Sequence, residues 1–257
     1  MSRRGVGLLL EVATPVAVVA AWWFWSDAAD SFFFPPLRSI LHSFNDTWIF
    51  ERFGSDVLPS LKRMFIGYAL AAVIAVSLGM LLGLSDVASR AADPIIAFLR
   101  AIPPTALVPF GIVVLGVGDV MKIFIITLVC IFPILISTVD GVRSCDPILA
   151  ETSRSYAVDG FARLRRVTLP AAMPQIFAGL RTALSIALIL MVVTELVAGD
   201  NGIGFFVLEA ERQFSIAQMW SGILLLGVLG YTLNGLFLLL ERRALRWYHG
   251  VKDAADV

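Results

Sequence analysis

Long runs of apolar residues, separated by short polar segments, dominate the chain. Six of these runs predict membrane-spanning helices, because about 20 apolar residues cross the hydrocarbon layer of a bilayer. The third and fourth runs are short and contain prolines, as expected of spans that are tilted, kinked or shielded by protein. The predicted spans are residues 5–26, 64–85, 101–118, 123–139, 174–198 and 213–240.

The first run follows Arg3 and Arg4 and could also be a secretory signal peptide. Cleavage needs small residues, and Ser26-Asp27-Ala28 meets that requirement poorly. We therefore expect this run to remain in the membrane as a helix. The chain is predicted to divide into an N-terminal helix with its following segment (1–58), a membrane core (59–247) and a polar tail (248–257).

The composition favours an all-α, polytopic membrane protein. Of the 257 residues, 58% are hydrophobic and 16% are charged, and the mean hydropathy is +0.85, whereas soluble domains are roughly 45–50% apolar. The 20 basic and 20 acidic residues balance and form no basic patch, which argues against nucleic acid as a partner. Cys130 lies in an apolar run and Cys145 in a polar loop, so neither a disulfide nor a metal site is predicted.

The basic residues predict the orientation of the six spans. An even number of spans places both termini on one side, and that side receives 13 of the 20 basic residues against 6 on the other. Since Lys and Arg concentrate in cytoplasmic loops, both termini and the loop from residue 140 to 174 are expected to face the cytoplasm. Trp22, Trp23 and Trp25 then lie at the outer interface, where an aromatic belt is expected.

Small residues recur every four positions in the second predicted span. A strip of this kind on one helix face lets another helix approach closely. We expect it to pack within the bundle or against a second copy of the chain, with a bias in composition as the alternative. The strip consists of Gly67, Ala71, Ala75, Gly79 and Gly83.

The loop between the fourth and fifth predicted spans carries helix signals of its own. Asp146-Pro147 is a helix start, with Asp as the N-cap and Pro in the first helical position. Asp159-Gly160 is a break before a second short helix, on which Phe161 and Leu164 share a face. Two short helices with a small apolar face could dock into a groove of a partner protein. They could equally lie flat on the membrane with their arginines on lipid phosphates, and the residues alone leave both alternatives open.

This loop resembles the EAA motif of ABC importer permeases, which reads Glu-Ala-Ala, three residues, Gly, nine residues and Ile-x-Leu-Pro. Here Glu151-Thr152-Ser153 stands for Glu-Ala-Ala, Ala157 stands at the Gly position, and Val167-Thr168-Leu169-Pro170 matches the end. The spacing is preserved throughout. Three small positions depart from the motif, and Gly160 is expected to supply the flexibility that the motif's glycine would give.

Further stretches extend the resemblance over most of the chain, from about residue 59 to residue 247. Together they resemble the nitrate, sulfonate, taurine and bicarbonate permease family of binding-protein-dependent importers. The stretches are 58–71, 92–125, 132–147, 169–184 and 195–205.

The resemblance implies a permease in the bacterial inner membrane that forms the path for a small anionic solute. It also implies a homodimer with two cytoplasmic ATPase subunits, which bind ATP and Mg²⁺, and an extracytoplasmic solute-binding protein that delivers the solute. The loop between helices 4 and 5 would act as the coupling helix in a cleft of each ATPase. The coupling residues implied in this way are Glu151, Thr152, Ser153, Tyr156, Ala157, Val158, Gly160, Leu169 and Pro170.

The sequence itself lacks the parts of an ATPase. A phosphate-binding loop needs a Gly-Lys pair, and none of Lys62, Lys122 and Lys252 follows a glycine. We also find no nucleophile–base pair at a recognisable spacing, so the chain is expected to be a non-catalytic subunit. An ion-gradient-driven secondary transporter is the alternative, although such a protein would want mid-membrane ionisable groups and inverted repeats.

Polar residues within the spans are candidates for the solute path, since a charge inside a membrane is a functional hypothesis by default. Arg181 could attract an anionic solute, or could extend to the cytoplasmic interface or pair with a carboxylate. Glu195 could line the path, or could cap and pack near the outer gate. The candidate path residues are Pro103, Thr105, Arg181, Ser185, Thr194 and Glu195.

Overall fold

A computed structural model describes residues 3–28, 31–156, 158 and 160–247, with the backbone alone for residues 3–12, 28, 50, 147, 150 and 154. The described elements are helices, as predicted, apart from one isolated bridge between Ser31 and Phe34. Wide π-type turns cover Asn45–Glu51, Phe53–Val57 and Leu164–Thr168. The helices are α1 (Arg3–Ala28), α2 (Leu37–Phe44), α3 (Leu58–Gly83), α4 (Asp86–Ala101), α5 (Pro104–Leu115), α6 (Asp119–Arg143), α7 (Pro147–Ser155), α8 (Gly160–Arg163), α9 (Leu169–Ala198), α10 (Ile203–Arg212) and α11 (Ile216–Ala244).

Four helical segments of the described chain are long and apolar enough to cross a membrane. They are Phe53–Gly83, Asp119–Arg143, Gly160–Ala198 and Ile216–Ala244, and the bent pair α4 and α5 makes at most a fifth. The first predicted span falls on α1, which is helical for 26 residues. Because the side chains of residues 3–12 lie outside the described part, the count of six spans stays a prediction.

The third predicted span, residues 101–118, is not a single straight helix. Its helical part is α5, whose 12 residues reach about 18 Å, well short of the roughly 30 Å of hydrocarbon. Helices α4 and α5 meet at 89°. The bend follows from Pro103 and Pro104, because proline disfavours helical geometry in the residue before it, and both Ile102 (ψ 122°) and Pro103 (ψ 129°) are extended.

The small-residue strip of α3 packs against α6, so the strip is a packing face within the bundle. Ala71 and Ala75 are fully buried. A Cβ atom built on Gly79 would lie 2.6 Å from Cβ of Thr138, and one on Gly67 would lie 2.8 Å from Ile126. Only glycine therefore allows α3 and α6 to approach this closely.

Helix α6 makes the same kind of contact with α9 on its other side. A Cβ atom on Gly141 would lie 2.9 Å from the Ala172 carbonyl oxygen, and one on Gly179 would lie 2.6 Å from Ser137. Helices α3, α6 and α9 thus form the packed centre of the fold. Their outward faces carry exposed apolar residues such as Val73 and Leu81, as expected where the solvent is lipid.

Replacement of Gly79 by valine is expected to destabilise this centre by roughly 1–3 kcal/mol, because the added methyl groups overlap the Thr138 side chain. The matched control is Gly235→Val on α11, where a Cβ atom meets nothing within 4 Å. Thermal unfolding in detergent measures the difference. Equal melting temperatures for the two variants would contradict the close contact of α3 with α6.

Candidate functional site

A cluster of polar and charged residues joins the ends of three helices, and we call it the Arg63 cluster: Ser60, Arg63, Asp119, Glu195 and Asn201. Ser60, Arg63 and Glu195 are buried, Asn201 is half-buried and Asp119 is exposed. The Arg63 guanidinium lies 2.6 Å from Asp119 Oδ1 and 3.1 Å from Glu195 Oε1. It also donates to the side-chain and backbone oxygens of Asn201. Ser60 Oγ donates to Glu195 Oε1 at 2.6 Å. Each oxygen and N–H so paired avoids the cost of a buried, unsatisfied polar group.

The turn that follows α9 wraps around Glu195. The backbone N–H of Gly204 donates to Glu195 Oε2 at 3.0 Å, and the N–H of Ile203 donates to Ser60 Oγ at 3.0 Å. Gly202 has a φ of +113°, and a Cβ atom there would lie 2.4 Å from the Glu195 carboxyl carbon. The residue at 202 must therefore be glycine for both conformational and steric reasons.

Two further ion pairs flank the cluster. Asp56, which is buried, accepts from the Gly202 N–H at 2.8 Å and lies 3.6 Å from Arg52. Lys122 is almost fully buried, with its ammonium nitrogen 3.6 Å from Asp200 Oδ1. The pKa of the Asp200 carboxyl is lowered, first by its own backbone N–H and then by the charge of Lys122. The cluster thus fixes the 199–204 turn to α3, α6 and α9.

Most of this cluster was missed by the sequence analysis, which singled out Glu195 alone. Arg63 and Lys122 lie directly before the first apolar residue of a predicted span, where a basic residue is expected to be a loop charge. Their proximity to a span end is the only signal that the sequence carries. The partners are 56 to 138 positions distant from Arg63, so spacing along the chain could not reveal them.

Arg181 and Ser185 line a groove between α9 and α11 with a volume of about 650 Å³. The Arg181 guanidinium is paired with the Glu241 carboxylate of α11. Polar side chains of Thr182, Tyr231 and Asn234 line the same groove. This region therefore offers several hydrogen-bonding groups in an otherwise apolar surface.

The other path candidates lie in different environments. Thr105 lines a cavity at the bend between α4 and α5, and Pro103 is the residue at which α5 is capped. Thr194 is fully buried, and its hydroxyl donates to the carbonyls of Leu190 and Met191 in its own helix. The six candidates are therefore spread over four places instead of forming one site.

The loop between α6 and α9, residues 144–168, lies at the end of the bundle opposite the Arg63 cluster; we call it the coupling loop. Helix α7 begins as predicted, since the Ile148 N–H donates to Asp146 Oδ1 at 2.8 Å. Glu151 and Thr152 are exposed, whereas Ser153 is buried. Tyr156 is exposed over 79% of its surface.

The second half of the coupling loop leads directly into α9. Ala157 and Asp159 lie outside the described residues, and Val158 is half-buried. Gly160 has a φ of +57° and begins α8, which continues through the wide turn Leu164–Thr168 to Leu169 and Pro170. The loop exposes the apolar side chain of Ile148, one turn before Glu151 on α7, to 70% and that of Phe161 on α8 to 75%.

Several apolar helices of spanning length, a core of glycine-mediated helix contacts and an exposed helical loop at one end define a polytopic helical membrane protein. Residues 72–246 match the family described as the binding-protein-dependent transport system inner membrane component. The chain belongs to this family and is the permease subunit of an ABC transporter. This assignment argues against the alternative that the chain is an ion-gradient-driven secondary transporter.

Named relatives cover most of the chain. An aliphatic sulfonates transport permease protein of Bacillus subtilis, SsuC, is 30% identical over 95% of this chain and 90% of its own length. The bicarbonate transport system permease protein CmpB of Synechococcus elongatus is 34% identical over 74% of this chain and 69% of its own. The nitrate import permease protein NrtB of Leptolyngbya laminosa is 33% identical over 70% of this chain and 65% of its own.

A solved structure shares the fold at low sequence identity. The inward-facing MetNI methionine ABC transporter contains a chain that superposes with a TM-score of 0.66 and 20% identity. The match covers 74% of this chain and 94% of that chain.

Replacement of Glu195 by alanine is expected to destabilise the protein by roughly 3–5 kcal/mol, because it leaves the buried Arg63 guanidinium without its innermost partner. Glu51→Ala, at an exposed glutamate in the same half of the molecule, is the control and should change little. Thermal unfolding of the detergent-solubilised protein measures both. A melting temperature unchanged by Glu195→Ala would show that the ion pair contributes nothing to stability.

Proposed function

We propose that this chain is the permease of an importer in the bacterial plasma membrane, where two copies form the path for a small anionic solute. The coupling loop of each copy docks into one of two cytoplasmic ATPase subunits, which bind ATP and Mg²⁺. A solute-binding protein delivers the solute from outside. The single observation that carries this proposal is the exposure of helix α7, on which Glu151 and the apolar side chains of Ile148 and Leu149 are all exposed. A surface of this kind suits a groove in a partner protein.

The position of the coupling loop suits the transmission of force. The loop joins α6 to α9, and these two helices approach closely at Gly141 and Gly179. Packed interfaces move as rigid bodies because they do not deform continuously. Displacement of α7 by a closing ATPase would therefore move both helices together.

The orientation follows from the basic residues and from the two ends of the bundle. The coupling loop carries Arg163, Arg165 and Arg166 and lies on the predicted cytoplasmic side, together with both termini. The Arg63 cluster then faces outward and holds the 199–204 turn across the outer end. Glu195 thereby acts as a positioning residue of an outer closure, in line with its burial.

The anionic class of solute rests on the relatives, whose names specify sulfonates, bicarbonate and nitrate. Taurine-like sulfonates fall in the same class. In this proposal Pro103 and Thr105 form a bend beside the path, Arg181 and Ser185 belong to its α9 wall, and the fully buried Thr194 lies behind that wall. Arg181 exchanges its bond to Glu241 for the solute anion as the solute passes.

Glu151→Ala is expected to abolish ATP-driven uptake while the protein still inserts, because the variant removes the carboxylate of the docking helix. Uptake by cells that express the permease with its ATPase and binding protein measures the effect. Glu211→Ala, at an exposed glutamate on α10 at the opposite end, should retain uptake. Full uptake by Glu151→Ala would count against docking, as would an ATPase that never co-purifies with the wild-type permease.

Single cysteines test the orientation in a background with Cys130→Ala and Cys145→Ser. A membrane-impermeant maleimide should label Glu211→Cys in intact cells, and Tyr156→Cys only in inverted vesicles, because the two positions lie at opposite ends of α9. Both positions are exposed in the structure. Labelling of Tyr156→Cys in intact cells would reverse the orientation.

A further inference from the structure

A cavity of about 540 Å³ lies inside the bend between α4 and α5, and we call it the bend cavity. Helices α6 and α9 close it, with Pro133 of α6 and Leu190 of α9 among the lining residues. Pro133 is near the middle of α6, so the cavity lies at mid-height of the bundle. Membrane transporters place solute sites near the bilayer midplane, where a broken helix frees space and backbone groups.

The lining of the bend cavity is almost entirely apolar. Aliphatic and aromatic side chains from three helices contribute most of it, among them Leu107, Phe132 and Ile186. Thr105 and Arg100 are the polar exceptions among the lining residues. Arg100 is exposed, and no ion pair or hydrogen bond of its side chain is found within the described chain. The cavity therefore combines a large apolar interior with a single available positive charge.

This combination distinguishes among the anions that such permeases could carry. A small inorganic anion such as nitrate or bicarbonate would lose its hydration in the cavity and gain few hydrogen bonds in return, which disfavours its binding. An organic anion could keep its charged group at Arg100 and bury an apolar body against the lining, which gains about 0.8 kcal/mol for each buried methylene. The volume is typical of sites for small organic ligands, which are about 300–1,000 Å³.

We propose that the bend cavity binds the transported solute and that this solute is an organic anion with an apolar body, such as an alkanesulfonate, rather than an inorganic oxyanion. The proposal rests on the proposed import function and narrows its solute class. Arg100 and Thr105 hold the charged group, and the side chains of Leu107, Phe132 and Ile186 select for the apolar body.

Calorimetric titration of the purified permease–ATPase complex in nanodiscs tests this, with empty nanodiscs subtracted. The probes are ethane-, butane- and hexanesulfonate, nitrate and 1-hexanol. The affinity for sulfonates should rise about three- to fourfold for each added methylene, and nitrate should not bind measurably. A Kd that does not depend on chain length, or nitrate that binds as tightly as hexanesulfonate, would overturn the proposal.

Two variants test separately how the Arg100 charge and the apolar cavity contribute to binding. Arg100→Gln should lower the affinity for hexanesulfonate by about fivefold, near the upper range for an exposed charge. The affinity for 1-hexanol should not change. Arg90→Gln is the matched control, because Arg90 is an exposed arginine of the same helix that does not line the cavity. Ile136→Trp, which fills the cavity, should weaken both probes by more than about tenfold, given that binding depends on the buried apolar surface.

If Arg100→Gln and Arg90→Gln change the affinity for hexanesulfonate equally, Arg100 does not belong to the site. If neither Arg100→Gln nor Ile136→Trp changes the binding of hexanesulfonate and 1-hexanol, the probes bind elsewhere and the proposal is overturned. If Ile136→Trp does not fold, the comparison of the two arginine variants still decides. Failure here is distinct from failure of the import function, because the uptake assay with Glu151→Ala reports on coupling and does not depend on where the solute binds.

Discussion

The fold depends on the close approach of α6 to two helices at once. In lipid there is little hydrophobic gain when helices associate, so packing between small residues has to hold them together. Glycines on α3 meet α6 side chains, and Gly141 of α6 and Gly179 of α9 close the other contact. The contacts among these three helices position the other features of the molecule. The coupling loop joins α6 to α9, and the bend cavity lies against the same two helices. The Arg63 cluster lies where α3 and α6 begin and α9 ends.

The two ends of this bundle are held by different forces. At one end, Arg63 and Glu195 are buried and share hydrogen bonds with a glycine-rich turn. A buried charge can leave such a site only together with its partners, because an unpaired ion in a low dielectric is costly. At the other end, the coupling loop is tied to the bundle mainly through its wide turn and the start of α9. One end therefore resists rearrangement, while the other carries exposed apolar and acidic side chains.

Sequence patterns predicted the parts of this structure that depend on neighbouring residues. The α3 strip, the Asp146 cap and the long apolar helices all follow from local spacing and composition, and the structure confirms them. The Arg63 cluster could not be predicted, because only the tertiary fold brings Asp119, Glu195 and Asn201 to Ser60 and Arg63 of α3. The bend of 89° was signalled by Pro103 and Pro104, but its size depends on how α5 packs on α6 and α9. The coupling role was implied by resemblance alone; of the residues it names, Leu169 and Pro170 begin α9, Ala157 lies outside the described residues, and the others lie in the 144–168 loop.

Gly202 illustrates how such a structure limits its own variation. Its backbone curves around the Glu195 carboxyl group so closely that no side chain fits between them. A shorter residue at 195 would remove this steric conflict but not the positive φ of residue 202. Glycine is therefore still required at 202 after the glutamate is lost, whereas the glutamate has no such hold from the backbone.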